Sequence, residues 1–388
     1  MSESIKGGAA AAGPRRLVLV ITEDWYYWSH RRALALGALA QGWSVTLVSR
    51  FGELRAAIAE DGVATADLPF ARRGRNPLAE TFAIARLAAL YRRLRPDVVH
   101  HVAIKPVLYG SLAARLARLP AVVNAISGLG YVFTAPGIKP AVLRQFAGAG
   151  YRTALRRDHT VTIFQNEDDR GAFVAAGLVR RADTALIRGS GVDLERFRPV
   201  ERSRDVPVVL HAGRLLWSKG VGDIVEAARR LRARGVAFRL ELVGRPDDDN
   251  PESVPEQALR GWEAEGLANW RGRQSDMPAV LAGADVVVLA SQREGVPKIL
   301  LEAAGAGLPA VATDVPGCRD VVAHGRNGFL VSPGDPEAIA DALEALLADP
   351  TLRRRMGEAA RERAEREFDE RLVVAQTLAL YDRAAARA

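Results

Sequence analysis

Ala284-Asp285-Val286-Val287-Val288-Leu289-Ala290, then Ser291-Gln292-Arg293, then Glu294-Gly295-Val296-Pro297-Lys298-Ile299-Leu300-Leu301-Glu302, followed by Ala303-Ala304-Gly305-Ala306-Gly307-Leu308-Pro309, decides how this chain folds. The first run is short and apolar, as expected of a strand buried on both faces of a parallel sheet. Lys298 to Ala306 carries the residues of a helix. The turn Glu294-Gly295-Val296-Pro297 therefore lies at a strand's carboxyl end, where open α/β sheets bind ligands. Its backbone N–H groups, at the helix start, suit anionic or hydroxyl-rich ligands. Glu294 and Glu302 set two carboxylates eight residues apart across this junction. Glu302, on the first turns of the helix, can accept two hydroxyl hydrogen bonds from a vicinal diol such as ribose. Two acceptors at two depths imply a ligand with two polyol ends, a geometry that suits a nucleotide sugar.

The rest of the chain bounds this reading. With 388 residues, 48% of them hydrophobic, two cores are expected, because single cores stop growing near roughly 250 to 300 residues. Cys318 is the one cysteine, so the chain fits a reducing cytoplasm and thiol catalysis lacks a second element. Met1 to Pro14 reads as a disordered tail without the basic start and apolar core of a signal peptide. No run of about 18 apolar residues spans a bilayer, so membrane contact is expected to be peripheral. Residues 1 to 200 hold 28 Lys and Arg against 16 Asp and Glu, a balance of +12, and the remainder holds 26 against 30, a balance of −4. The basic half is the one expected to meet an anionic partner. Nucleic acid is disfavoured, since no zinc-ligand spacing or aromatic-interleaved motif accompanies the charge.

Strands are expected at Arg16 to Ile21, Val45 to Ser49, Asp97 to His100, Ala121 to Ala125 and Thr160 to Phe164, with a helix over Arg31 to Gln41. The loop Thr22 to His30 contains no glycine, which disfavours a nicotinamide dinucleotide fingerprint. A second series runs through Pro207 to His211, Arg239 to Val243, Trp270, Val286 to Leu289, Ala310 to Thr313 and Gly328 to Val331. Residues 15–183 form the expected first domain, 184–206 a hinge and 207–365 the second domain. Helix-forming residues dominate Glu337 to Leu347 and Pro350 to Ala388.

Three further segments accompany the Glu294 to Glu302 block in order: Phe164-Gln165-Asn166-Glu167-Asp168-Asp169, Gly189-Ser190-Gly191-Val192-Asp193 and Gly213-Arg214-Leu215-Leu216-Trp217-Ser218-Lys219-Gly220. Behind the block stand Thr313 to Asp320 and Asn327 to Val331. Together these resemble the retaining GT-B glycosyltransferases of family 4. The resemblance implies two doubly wound Rossmann-like α/β domains facing a cleft, with residues 366–388 crossing back onto the first. Ser29-His30-Arg31, Lys105 to Ser111 and Ser127 to Phe133 also resemble the subgroup that extends polyprenyl-diphosphate-linked sugars.

That resemblance assigns roles. Arg214 and Lys219, in a loop bracketed by Gly213 and Gly220, would neutralise a donor diphosphate, Arg as a planar fork and Lys as a point charge. Without it, two such cations would read as a solvated loop. Glu294 would hold sugar hydroxyls and Glu302 the ribose, beside Gly295, Val296, Pro297 and Lys298. Gly272 and Arg273 match the base-contacting loop. His100 and His101 end a strand on opposite faces, so at most one is expected to reach the reacting centre, the other reading for both being packing. His30, Lys105 and Tyr131 are the expected acceptor contacts. Asp320 stands where many relatives have Glu. Asp247-Asp248-Asp249 reads as a solvated polar loop, and neither a metal nor a cofactor is expected, the UDP-sugar being a substrate.

Tyr131 to Phe133 and Ala141 to Arg157 set apolar groups at Val142, Leu143, Phe146 and Leu155 beside Arg144, Arg152, Arg156 and Arg157. This segment reads either as an anionic-membrane contact or as a surface helix with its apolar face in the core. The expected activity is transfer of a hexose or N-acetylhexosamine from a UDP-sugar to a polyprenyl-diphosphate-linked saccharide in glycan assembly at the cytoplasmic membrane face. The alternatives are a UDP-sugar 2-epimerase of the same architecture, or a non-catalytic nucleotide-sugar or lipid-binding protein.

Overall fold

The computed structural model describes residues 14–70, 77–127, 150–201, 204–247 and 250–386. Tyr131, Val142, Leu143, Arg144, Phe146, Asp248 and Asp249 lie outside them. The chain separates into two compact units and crosses between them, within the described residues, at Ala125–Ile126, Thr162–Ile163 and Thr377–Leu378.

The first sheet contains β1 (Arg16–Glu23), β2 (Ser44–Arg50), β3 (Ala64–Asp67), β4 (Val98–Val102), β5 (Ala121–Ile126), β6 (Thr160–Phe164) and β7 (Thr184–Leu186). Their order is β3-β2-β1-β4-β5-β6-β7, and Leu19 of β1 is in parallel register with Leu47 of β2 and His100 of β4. The helices between them are α1 (Asp24–His30), α2 (Arg32–Ala40), α3 (Arg55–Glu60), α4 (Pro77–Leu94), α5 (Ile104–Ala117) and α6 (Glu167–Ala175). Every residue of β4 and β5 is buried, as a sheet covered on both faces requires. Val18, Val20, Val48, Val99 and Val122 pack with Leu87 and Tyr91 of α4.

The second sheet contains β8 (Val208–Ala212), β9 (Arg239–Val243), β10 (Asn269–Trp270), β11 (Val286–Leu289), β12 (Ala310–Thr313) and β13 (Gly328–Val331). Its order is β10-β9-β8-β11-β12-β13, all parallel. Its helices are α7 (Val221–Ala233), α8 (Glu256–Ala264), α9 (Met277–Ala282), α10 (Lys298–Gly305), α11 (Cys318–Val321), α12 (Pro336–Ala348), α13 (Pro350–Arg363) and α14 (Glu370–Ala386). Alternate strand residues feed alternate faces. Val209, Val286, Val288 and Val311 join one core, and Leu210, Val287, Leu289 and Ala312 the other.

Three local expectations need correction. The segment after β1 is helical from Asp24, and Arg31, at φ −135°, separates α1 from α2. β3 escapes the pattern because none of its residues is buried, and β7 falls within the expected hinge as three half-buried residues. The last helical stretch is interrupted at Ala364–Phe368 and Asp369. There the Val192 N–H donates to the Phe368 carbonyl (2.8 Å) and the Glu370 N–H to the Val192 carbonyl (3.0 Å). Helix α14 groups with the second unit as far as Thr377 and with the first from Leu378, the crossing that the resemblance implies.

Candidate functional site

The second unit assembles Glu294, Lys219 and Arg214 at the carboxyl ends of β8 and β11. Glu294 Oε1 accepts from Lys219 Nζ at 2.5 Å and from the Ser291 hydroxyl at 2.7 Å, and the side chains are only 11% and 22% exposed. The carboxylate expected to hold a sugar and the ammonium expected to hold a diphosphate are therefore paired to each other. Gly220 makes this possible. At φ +69°, a Cβ there would lie 2.1 Å from the Ala290 carbonyl oxygen, so only glycine lets the Lys219 loop close on the end of β11. Arg214 is more exposed, and its guanidinium meets Asp247 at 3.2 Å. Asp247 thus serves as an ion-pair partner. Among the described residues no group of three or more His, Cys, Asp or Glu is placed to hold a metal.

His211, on β8, lies within electrostatic reach of this pair. Burial lowers its pKa to about 4, with Lys219 pushing the same way and the Val288 carbonyl and Glu294 opposing. The ring is therefore neutral at ordinary pH. Its Nδ1 donates to the Val288 carbonyl at 3.2 Å, so Nε2 carries the lone pair and is buried without a partner.

The turn itself is clamped from beneath. The Val296 N–H donates to Gln165 Oε1 (3.1 Å), and Asn166 Nδ2 donates to the Gly295 carbonyl (3.1 Å). One of the N–H groups that the sequence leaves for a ligand is thus already used. A Cβ on Gly295 would sit 2.3 Å from the Ser127 carbonyl oxygen and 2.5 Å from Gln165 Oε1. Asn166 also caps α6, accepting the Asp169 N–H at 2.7 Å. Buried Asp169 pairs with Arg293, and desolvation raises its carboxyl pKa against the pull of Arg293. In the sequence, Phe164 to Asp169 stands out only as a segment that matches the family. The polar run Gln165-Asn166 directly after an apolar strand was the available signal, because buried amides are found with partners.

Glu302 sits about one turn into α10, buried, with Lys298 Nζ 3.9 Å away. Desolvation raises its pKa above the ordinary carboxylate value, while Lys298 and Arg196 pull it down. Gly272 accepts the Gly244 N–H through its carbonyl at 2.8 Å, and Arg273 is exposed. Asp320 Oδ2 accepts the Gly317 N–H at 3.2 Å, which occupies the short carboxylate locally.

In the first unit His30, His100, His101 and Lys105 each have partners of their own. Both strand-end histidines are buried. His101 Nδ1 donates to Asn124 Oδ1 (2.8 Å), and its Nε2 then accepts from the Tyr91 hydroxyl (2.9 Å). His100 Nδ1 meets the Tyr381 hydroxyl at 2.5 Å. Burial lowers both pKa values, that of His101 to about 4. Neither ring reaches the surface, and each is held by a hydroxyl or amide partner inside the first unit. His30 stacks on Tyr26, centroids 4.2 Å apart, and contacts the Ser29 hydroxyl. Lys105 pairs with Glu80 at 3.0 Å beside Phe70 and Tyr109.

Residues 193–363 match the family model described as glycosyl transferases group 1, and residues 16–166 the one described as glycosyl transferase 4-like. The putative glycosyltransferase EpsD of Bacillus subtilis is 31% identical over 76% of this chain and 80% of its own length. The N,N'-diacetylbacillosaminyl-diphospho-undecaprenol alpha-1,3-N-acetylgalactosaminyltransferase of Campylobacter jejuni is 27% identical over 81% and 84%. Sucrose-phosphate synthase of Thermosynechococcus elongatus superposes with a TM-score of 0.79 at 20% identity, covering 96% of this chain and 100% of that one. HepE of Anabaena, solved with UDP-glucose, superposes with a TM-score of 0.73 at 20% identity over 94% and 99%. These two structures bear on the fold alone.

Two measurements follow from the geometry. Asn166→Ala removes the donor to the Gly295 carbonyl and is expected to cost about 1–3 kcal/mol of stability and roughly tenfold in kcat/KM for the donor; urea unfolding and steady-state kinetics check both. In the ribose role that the resemblance implies, Glu302 accepts two hydroxyl bonds when ionised, and since desolvation raises its carboxyl pKa, UDP affinity is expected to fall as pH drops through the mildly acidic range. Titration calorimetry of wild type and Glu302→Gln across pH separates this fall from protonation of UDP, since only the wild type should show the extra loss.

Proposed function

Since the chain belongs to the group 1, 4-like glycosyltransferases, we propose that it transfers a hexose or N-acetylhexosamine from a UDP-sugar to a lipid-diphosphate-linked saccharide, with retention and without a metal. The observation that carries this reading is the half-buried Lys219–Glu294 pair beside the Gly295 turn. A UDP-sugar supplies a partner for each member. Lys219 exchanges the carboxylate for the diphosphate, and Glu294, still held by Ser291, accepts from the sugar hydroxyls. Arg214 exchanges Asp247 for the same diphosphate, and Glu302 takes the ribose.

As the bond from the anomeric carbon to the phosphate oxygen breaks, negative charge grows on the leaving UDP. Cations already fixed near that oxygen are stabilising in proportion to the charge that develops, so they lower the barrier more than they tighten ground-state binding. The acceptor hydroxyl oxygen then bonds to the anomeric carbon, and its proton passes to the departing phosphate. A lipid-linked acceptor is supported by the Campylobacter relative, whose name specifies a diphospho-undecaprenol substrate. UDP is taken from the family resemblance, and HepE, solved with UDP-glucose, is an example of this fold with such a ligand. Such an acceptor would place the enzyme peripherally at the inner membrane face, in polysaccharide, O-antigen or glycoprotein glycan assembly.

The test is UDP release across a panel of UDP-sugars with a polyprenyl-diphosphate sugar as acceptor, in buffer with and without EDTA. Lys219→Ala and Arg214→Ala are each expected to lower kcat about 10²-fold or more, with a smaller change in KM, and EDTA to leave wild-type turnover unchanged. Loss of activity in EDTA that Mg²⁺ restores would refute the metal-free reading. Turnover of a UDP-sugar without acceptor would favour the epimerase.

A further inference from the structure

Helix α4 buries Ala83, Leu87, Ala88 and Tyr91 against the first unit. At about 100° per residue, Leu78, Phe82, Arg86, Ala89 and Arg93 fall in one stripe on the opposite side. Leu78 is 81% and Phe82 67% exposed, the highest values for large hydrophobic side chains among the described residues. One exposed phenylalanine is ordinary. Here the two apolar side chains lie at one end of a stripe whose other end is cationic. Arg86 and Arg93 join Arg55 of α3 in lining a cavity of about 560 Å³ beside the edge strand β3. The cavity's one carboxylate, Asp67, is taken by Arg55 at 3.0 Å. The only acid of α4, Glu80, pairs with Lys105. The outward stripe therefore carries no acidic residue, and a twofold contact with a second copy would set like charges against each other.

We propose that this α4 stripe, with the Arg55–Arg86–Arg93 cavity, is the surface by which the protein rests on an anionic phospholipid bilayer. Leu78 and Phe82 enter the boundary between headgroups and acyl chains, and the guanidiniums hold lipid phosphates, the arrangement that binds an interfacial helix by apolar burial together with charge. The purpose of this contact rests on the lipid-linked acceptor proposed above, but the surface is argued from α4 alone. It differs from the contact expected over residues 141–157. In the described part of that segment Tyr151, Ala154 and Leu155 are buried and Arg157 donates to the Leu119 carbonyl, as in a helix packed on its own domain.

The full chain is sedimented with vesicles of phosphatidylcholine alone and of phosphatidylcholine with phosphatidylglycerol, at low and high salt, and UDP binding is read on the same samples by calorimetry. Wild type is expected to bind the anionic vesicles at low salt and to be released by salt. Leu78→Ser with Phe82→Ser, and separately Arg86→Glu with Arg93→Glu, are expected to reduce binding at least about tenfold with unchanged UDP affinity. Arg152→Glu with Arg156→Glu should leave vesicle binding intact. Absence of binding by wild type, equal binding to both vesicle types, or full binding by the α4 variants would overturn the proposal. UDP affinity reports on the donor site independently, so failure of that reading shows as lost UDP binding whatever the vesicles do.

Discussion

A lysine and a glutamate pressed together at 2.5 Å, both mostly withdrawn from water, set the terms for the rest of the second unit. Removing either charge from solvent is costly unless the other answers it, and removing one partner leaves the remaining charge uncompensated. The pair therefore requires two chain segments to meet closely. Gly220 allows it on one side. On the other, the Ser291 hydroxyl holds Glu294, and the Thr313 hydroxyl holds the Ser291 carbonyl at 2.5 Å. In the proposed donor site, an anionic ligand would offer Lys219 a second anion in exchange for Glu294.

The same logic explains the buried amides below the turn. A backbone that approaches another as closely as Gly295 approaches Ser127 has little freedom to adjust, so its N–H and C=O groups must find fixed partners. Gln165 and Asn166 supply them, and Asp169 with Arg293 completes the set. The position of the turn is thus set by side chains that reach it from a distant part of the sequence. Glu302 adds a buried carboxylate whose pKa desolvation raises while Lys298 and Arg196 pull it down.

The parallel strands of the second unit were legible because β8, β11 and β12 are short runs that are mostly apolar and wholly buried, and the Gly-bracketed cationic loop and the two-carboxylate junction were legible from spacing. β3 and β7 were not, since short edge strands with no buried residue carry no hydrophobic pattern. The break before α14 was not legible either, because it is imposed by Val192, distant in sequence. The family resemblance placed Lys219 and Glu294 in one region without showing that they pair. His100 and His101 mark the limit most clearly. A strand's alternation put one ring on each face, but both faces of β4 are covered, so both rings found partners inside.

The most direct test of the Lys219–Glu294 account is a double-mutant cycle on kcat/KM with Lys219→Ala, Glu294→Ala and the double variant. If the two residues act as one exchangeable unit, the second substitution costs far less in the background of the first, and the coupling energy exceeds about 1 kcal/mol. Effects that add within about 0.5 kcal/mol would mean that the residues act independently and that their pairing has no part in donor use.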